Sequence, residues 1–288
     1  MDAYNKKKFF SATILSLGMI AASIPAKAVQ DDELDALMQM PLKQLMQIEV
    51  TSVSKRSEKA NETAAAISVI TAEDIRRSGA NTVPEVLRGI PGVQVSRINS
   101  GWWAISARGN ANAFGNKLLV LLDGRSIYNP MFSGVVWEEQ GTPLEDIERI
   151  EVIRGPGSTL WGSNAVNGVI NIITKHTKDT QGDILSAGAG TYDDMSGYMR
   201  HGGKIGDDTT YRTYVNHYRQ ENSETASNIK AFDEWHITRA GLRTDGKIDE
   251  DSSFNVSTDF YQGEREIPFV RAPRVNAAGF TSDVDTHH

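Results

Sequence analysis

The chain has no cysteine among its 288 residues. Disulfides, thiolate metal ligands and thiol nucleophiles are therefore excluded, and stability has to come from packing and β-pairing. An excess of positive charge is lacking too. Thirty Lys and Arg stand against 37 Asp and Glu, a net charge of −7, which argues against nucleic acid, whose partners present a basic face. Long apolar runs are missing after residue 28, where no stretch approaches the roughly 18 residues of a spanning helix. Any membrane-embedded part of the mature chain must then be a closed barrel, the other structure that satisfies every backbone polar group in lipid. Catalytic signatures are missing as well. No serine lies in a G-x-S-x-G turn. The segment Gly157-Ser-Thr-Leu-Trp-Gly162 has the glycine spacing of a phosphate loop, but Ser163 and Asn164 stand where lysine and Ser/Thr are required. His176, His201, His217 and His236 show no ligand spacing. Glu145, Asp146, Glu148 and Glu151 read as capping and surface charge. No metal, no other cofactor and no enzymatic activity are expected.

The N-terminus points to export. Lys6, Lys7 and Lys8 precede an apolar run from Phe9 to about Ile24, which ends in Ala26-Lys27-Ala28, the pattern of a cleavable signal peptide. Cleavage after Ala28 removes Lys6, Lys7, Lys8 and Lys27 against the single acid Asp2, so the mature chain is more acidic than the whole. Residues 29–60 then form an N-terminal extension. It opens on a short amphipathic helix carrying Leu34, Leu37, Met38, Leu42, Leu45 and Met46, broken by Pro41, and continues as the extended run Ile48–Lys55.

Residues 61–175 alternate short strands, capped helices and glycine turns. Ile67–Ile70 reads as a strand. Thr71–Gly79 reads as a helix with Thr71 capping, Asp74 three residues on, and Gly79 at the left-handed stop. Thr82-Val-Pro-Glu85 repeats the start signal, with an early proline and a capping glutamate, and Pro91-Gly92 ends that helix. Val93–Arg97, Ala104–Gly109 and Leu118–Leu122 are further strands, and Asp123-Gly124 turns the last into Arg125–Tyr128. The richest segment is Ile147–Lys175, IERIEVIRGPGSTLWGSNAVNGVINIITK, which reads as strand, glycine turn, short helical turn, glycine turn and strand.

These motifs resemble, in order, those of TonB-dependent outer-membrane receptors: DIRRSGA on a helix, PGVQV, the ISARG strand, LLVLLDGRSIY, and IERIEVIRGP leading into the barrel. The resemblance implies an α+β plug domain, a small mixed sheet with short helices, followed by the first antiparallel strands of a transmembrane β-barrel. It also implies import of a scarce small-molecule ligand by energy-coupled plug movement. A metal chelate such as an iron-siderophore is the commonest ligand class, with cobalamin and haem behind it. The implied location is the outer membrane, and the implied partners are its lipid and a TonB-type energy-coupling protein in the periplasm. Glu49-Val50-Thr51-Ser52-Val53 resembles the family's coupling box, which pairs with that protein by strand addition; a first plug strand or a linker is the other reading. Arg108 and Arg154, in the two Arg-Gly turns, resemble plug arginines that face barrel-wall carboxylates, against a reading in which they serve local turn carbonyls. Ligand contact is expected at the plug apex, from Asn99, Trp102, Trp103 and Phe114 in one region and Tyr128, Phe132 and Trp137 in another, although such aromatics also serve as packing.

Residues 176–288 change texture. Glycines and aspartates punctuate aromatic-rich segments at 184–192, 197–205, 209–218, 236–247 and 253–263. In the last, Phe254, Val256, Thr258 and Phe260 would face lipid, with Ser253, Asn255, Ser257 and Asp259 facing the lumen. Five strands fall far short of a plugged barrel, which takes about 22 strands of roughly 9–11 residues. The chain is thus expected to be the N-terminal part of such a receptor. The alternative is a transport-incompetent truncated receptor whose plug acts as a periplasmic binding module for the coupling protein.

Overall fold

The computed structural model describes residues 49–50, 58–59, 66–109, 115–131, 134–190, 195–224 and 230–266. The signal segment, the helix expected before Met46, Thr51, Ser52, Val53, Phe114, Phe132 and His287-His288 lie outside the described residues.

Two short strands, β1 (Glu49–Val50) and β2 (Glu58–Lys59), pair antiparallel. The plug follows. Strand β3 (Ala66–Thr71) runs into a helix, Ala72–Ser78, held by a full capping box between Thr71 and Asp74 and closed at Gly79 in the left-handed region. A second helix, Val83–Leu87, departs from the expected cap. Thr82 makes no side-chain cap, and Glu85 reaches past it to accept from the Asn81 amide at 2.8 Å.

Strands β4 (Val93–Arg97) and β5 (Trp103–Ala107) form a separate hairpin. The main sheet contains β3, β6 (Leu118–Leu122), β7 (Arg125–Ser126), β8 (Ile147–Arg154) and β9 (Gly168–Thr174), in the order β3-β8-β9-β6-β7. Only β6 and β9 run parallel; the other pairs are antiparallel. The central strands are apolar on both sides because both sides are covered. Val120, Ile150, Val152, Ile170 and Ile172 pack with the two helices, and Leu119, Leu121, Ile153 and Val169 pack on the opposite face with Ala165. A register shift between Ile147 and Arg149 puts Ile147 on the same side as Ile150 despite their odd spacing.

Five strands then make an antiparallel meander in chain order: β10 (Gly182–Ala189), β11 (Met195–Ile205), β12 (Thr209–Gln220), β13 (Trp235–Lys247) and β14 (Ser253–Arg265). Among the described residues no strand pairs with the outer edge of β10 or of β14. Residues 206–208 and 248–252 turn the chain at one end, and residues 221–224 and 230–234 lie at the other. Register sorts the side chains into two faces. One carries Leu185, Met199, Val215, Leu242, Val256 and Phe260, between 44% and 82% exposed. The other carries the buried Tyr198, Arg200, Arg212, Tyr218, Trp235, Ile237, Arg239 and Asp245, and lies against the plug. Among the described residues no helix is long and apolar enough to cross a membrane.

Candidate functional site: the seam between plug and wall

The inward face of the meander is set by strand parity, and five arginines occupy it: Arg200, Arg212, Arg239, Arg243 and Arg265. Each meets the plug or the segment that leaves it. Arg200 donates to Asp146 Oδ1 at 2.7 Å, and Arg212 Nε lies 3.7 Å from Asp146 Oδ2. Asp146 is fully buried, and both guanidinium groups are at least nine-tenths buried. Arg212 also donates to the Lys175 carbonyl. Next to this cluster Arg243 donates to Thr174 Oγ1 at 2.6 Å and to Asp123 Oδ2 at 3.2 Å. Asp123 itself takes the Thr174 amide at 2.8 Å, so the hairpin turn, the end of β9 and the wall share one carboxylate.

Further along the wall, Arg239 donates to the Glu138 carbonyl, and Arg265 pairs with the Glu138 carboxylate. At the end bearing residues 221–224 and 230–234, the Ser100 amide donates to Asp233 Oδ2 at 2.7 Å, and its hydroxyl donates to the Asp233 carbonyl. Two plug glycines let the wall approach this closely. A Cβ at Gly101 would stand 3.2 Å from the Trp235 indole, and one at Gly141 would stand 3.1 Å from the Arg239 guanidinium.

Burying these charges is costly in itself, and the pairing offsets that cost only while both partners stay in place. Burial pushes the Glu138 carboxyl above its ordinary range even though Arg265 pulls the other way. Burial, reinforced by Arg200, pushes the Lys175 ammonium below its own range. Among the described residues, Asp146 Oδ2 and the Nε atoms of Arg200, Arg212 and Arg239 have no hydrogen-bond partner. A seam with donors left over is held together but is not at its most stable.

The carboxylates expected to be capping and surface charge divide into two kinds. Glu148 is exposed, while Asp146 and Glu151 are completely buried. The first serves the wall arginines, and the second takes Arg149 Nε at 2.8 Å inside the plug. The arginines of the two Arg-Gly turns lie elsewhere. Arg154 donates to the Pro91 carbonyl at 2.7 Å and to Ser68 Oγ at 3.2 Å, and Arg108 sits in the left-handed region at φ 64°. Among the described residues no ion pair joins either one to a wall carboxylate. Five arginines instead come from the wall.

Of the expected ligand residues, Trp103 and Trp137 meet on one cavity of about 650 Å³ between plug and wall. Both are over nine-tenths buried. Arg88 and Arg97 also lie over the Trp103 ring at 5.2 and 5.4 Å. Asn99 Oδ1 accepts from the amides of Gly101 and Trp102 at 3.1 and 2.7 Å and shapes the turn before β5. Arg265 lies over the Trp102 ring at 5.2 Å. Tyr128 is half-buried and does not line that cavity. In the box-like segment, Glu49 and Val50 are extended and paired with Lys59 and Glu58.

A mixed αβ domain seated on an open antiparallel sheet, with an apolar far face and a charged near face, defines the class of fold: a plug against the first strands of a β-barrel wall. Residues 59–169 match the family model described as the TonB-dependent receptor plug domain. Over these residues the chain carries the plug domain of the TonB-dependent receptors. It is similar to the vitamin B12 transporter BtuB of Vibrio cholerae, 35% identical over 158 residues, which cover 55% of this chain and 25% of that protein. The BtuB of Vibrio vulnificus is 36% identical over 49% of this chain and 23% of its own length. The match thus spans about a quarter of these curated relatives. In fold it is similar to the ferripyoverdine receptor of Pseudomonas aeruginosa, with a TM-score of 0.61 at 18% identity, covering 83% of this chain and 31% of that one. The ferric-catecholate import receptor Fiu of E. coli K12 aligns at a TM-score of 0.58 and 20% identity, over 81% of this chain and 34% of that one.

Proposed function

We propose that the chain is part of an energy-coupled importer of the outer membrane, exported by the signal segment 1–28, and that the plug is its gate. The observation that carries this reading is the seam. Wall arginines hold the plug through buried carboxylates and carbonyls, and nothing in that arrangement breaks or makes a covalent bond. A pull on the plug exchanges these pairs for water, and the leftover donors of Arg200, Arg212 and Arg239 gain partners as it moves. The exposed apolar face of β10–β14 fits lipid, and the inward face fits a filled lumen. The ligand is a small molecule of the kind that the relatives' names give, vitamin B12 or an iron-siderophore such as ferripyoverdine, met at the apex by residues including Asn99, Trp102, Phe114, Tyr128 and Phe132.

The pull enters through Glu49-Val50-Thr51-Ser52-Val53, to which the periplasmic coupling protein adds a strand. The extended backbone at Glu49–Val50 supports this reading. Proline at a paired position removes an amide donor and blocks the ladder. Val50→Pro is expected to weaken binding of the coupling protein's periplasmic domain by tenfold or more, measured by titration calorimetry. Binding that stays at the parent affinity would remove the box from this segment. Separation of inner and outer membranes on a sucrose gradient tests the location, and a chain found only in the periplasmic fraction would contradict it.

A further inference from the structure

We propose that the β1–β2 hairpin is the docking surface for the periplasmic coupling protein, whose strand adds to the outer edge of β1 while β2 stays paired on the inner one. The proposal rests on the box reading above and goes further, by keeping the box in its hairpin throughout the encounter. The observation is one of register. Glu49 stands opposite Lys59, and Val50 opposite Glu58, in an antiparallel pair. In such a strand the amide and carbonyl of one residue point to one side, and those of the next residue point to the other. One residue of β1 therefore faces β2, and the other turns its amide and carbonyl outward. Among the described residues no third strand pairs with β1 or β2.

An unpaired strand edge is a template for another strand. Two-stranded hairpins are marginal in water by themselves and gain stability when a third strand joins, and this one has two residues in each strand. The gain runs both ways. β2 holds Glu49 and Val50 extended in advance, so the incoming strand meets a backbone that is already partly ordered. The occupant is a peptide strand and not a small molecule, because the hairpin offers backbone donors and acceptors along an edge. Position supports the same occupant. β1 precedes the plug, whose family match begins at Lys59, so β2 joins the docking strand to the first matched residue of the domain that has to move. A box that had to leave β2 before binding would use the edge that β2 now covers, and cross-linking the hairpin separates the two cases.

The chain has no cysteine, so Glu49→Cys with Lys59→Cys introduces a single possible disulfide. Directly opposed Cα atoms of an antiparallel pair lie about 4.5–5.5 Å apart, inside the roughly 4.4–6.8 Å that a disulfide spans. The 288-residue variant in detergent micelles is titrated by calorimetry with the coupling protein's periplasmic domain, first oxidised and then reduced. The oxidised form is expected to bind as tightly as the reduced form or more tightly. Tenfold weaker binding that returns on reduction would overturn the proposal, because the box would then have to leave β2. Glu58→Pro with Lys59→Pro removes both β2 amides, whichever of them faces β1. It should weaken binding at least threefold, with circular dichroism checking that the plug is folded, and binding at or above the parent affinity would overturn the proposal as well. Val50→Pro tells the two failures apart. If it weakens binding while either hairpin test fails, the box stands and the docking hairpin falls. If it binds like the parent, the box reading is lost and the hairpin goes with it.

Discussion

Replacing Asp146 with alanine is expected to cost about 3–5 kcal/mol of stability, the penalty of removing one partner from a buried ion pair. The carboxylate has no exposed surface and lies between Arg200 at 2.7 Å and Arg212 at 3.7 Å. Without it, two buried guanidinium groups face each other beside the Lys175 ammonium, which burial and Arg200 already hold below its ordinary range. Guanidinium unfolding followed by tryptophan fluorescence reads the loss, because Trp103 and Trp235 sit on opposite sides of the seam. Glu148→Ala is the control. It removes an exposed carboxylate two residues away, with an expected change within about 0.5 kcal/mol. Equal effects of the two substitutions would mean that Asp146 is a surface charge after all.

The second large effect lies inside the plug. A Cβ on Gly168 would stand 2.3 Å from the Ile153 carbonyl oxygen and 3.1 Å from Leu118 Cδ1. The first obstacle is backbone in the neighbouring strand, and it cannot rotate away. Strand β9 is central, paired to β8 on one side and β6 on the other, so relief would have to move a strand. Gly168→Ala is expected to destabilise the plug by about 3 kcal/mol or more, at or above the upper end of ordinary overpacking. The same unfolding measurement checks it. A loss below about 1 kcal/mol would mean that the β8–β9 pair is looser than its spacing here.

Much of this architecture was legible because its signals are local. The Thr71–Asp74 box and Gly79 lie within nine residues of each other, and they form as read. The two-residue turn at Asp123-Gly124 pairs Leu122 with Arg125 directly. Alternation in β14 sorted Val256 and Phe260 from Ser257 and Asp259 onto the faces found. At the second helix the Thr82 side chain makes no cap, and Glu85 takes the Asn81 amide one residue earlier. The seam was not legible in the same way. Asp146 and Arg200 are 54 residues apart, and Glu138 and Arg239 are 101 apart. Nothing near Asp146 separates it from Glu145 or Glu148; only the wall buries it. One signal was available. Arg212, Arg239 and Arg243 all fall on the lumen parity of their strands, where an isolated charge needs a partner across the lumen. That pattern points to acceptors on the plug without saying which.

The plug and its wall are held together by charge pairs that work as couples, and a double-mutant cycle on Asp146 and Arg200 tests this most directly. The parent chain, Asp146→Asn, Arg200→Gln and the double variant would be unfolded under one set of conditions. We expect the double variant to lose less than the sum of the singles, by about 1–3 kcal/mol, as for partners in one buried pair. Losses that add to within about 0.5 kcal/mol would show that the two residues act independently, and this pair would then not be what holds the plug to the wall.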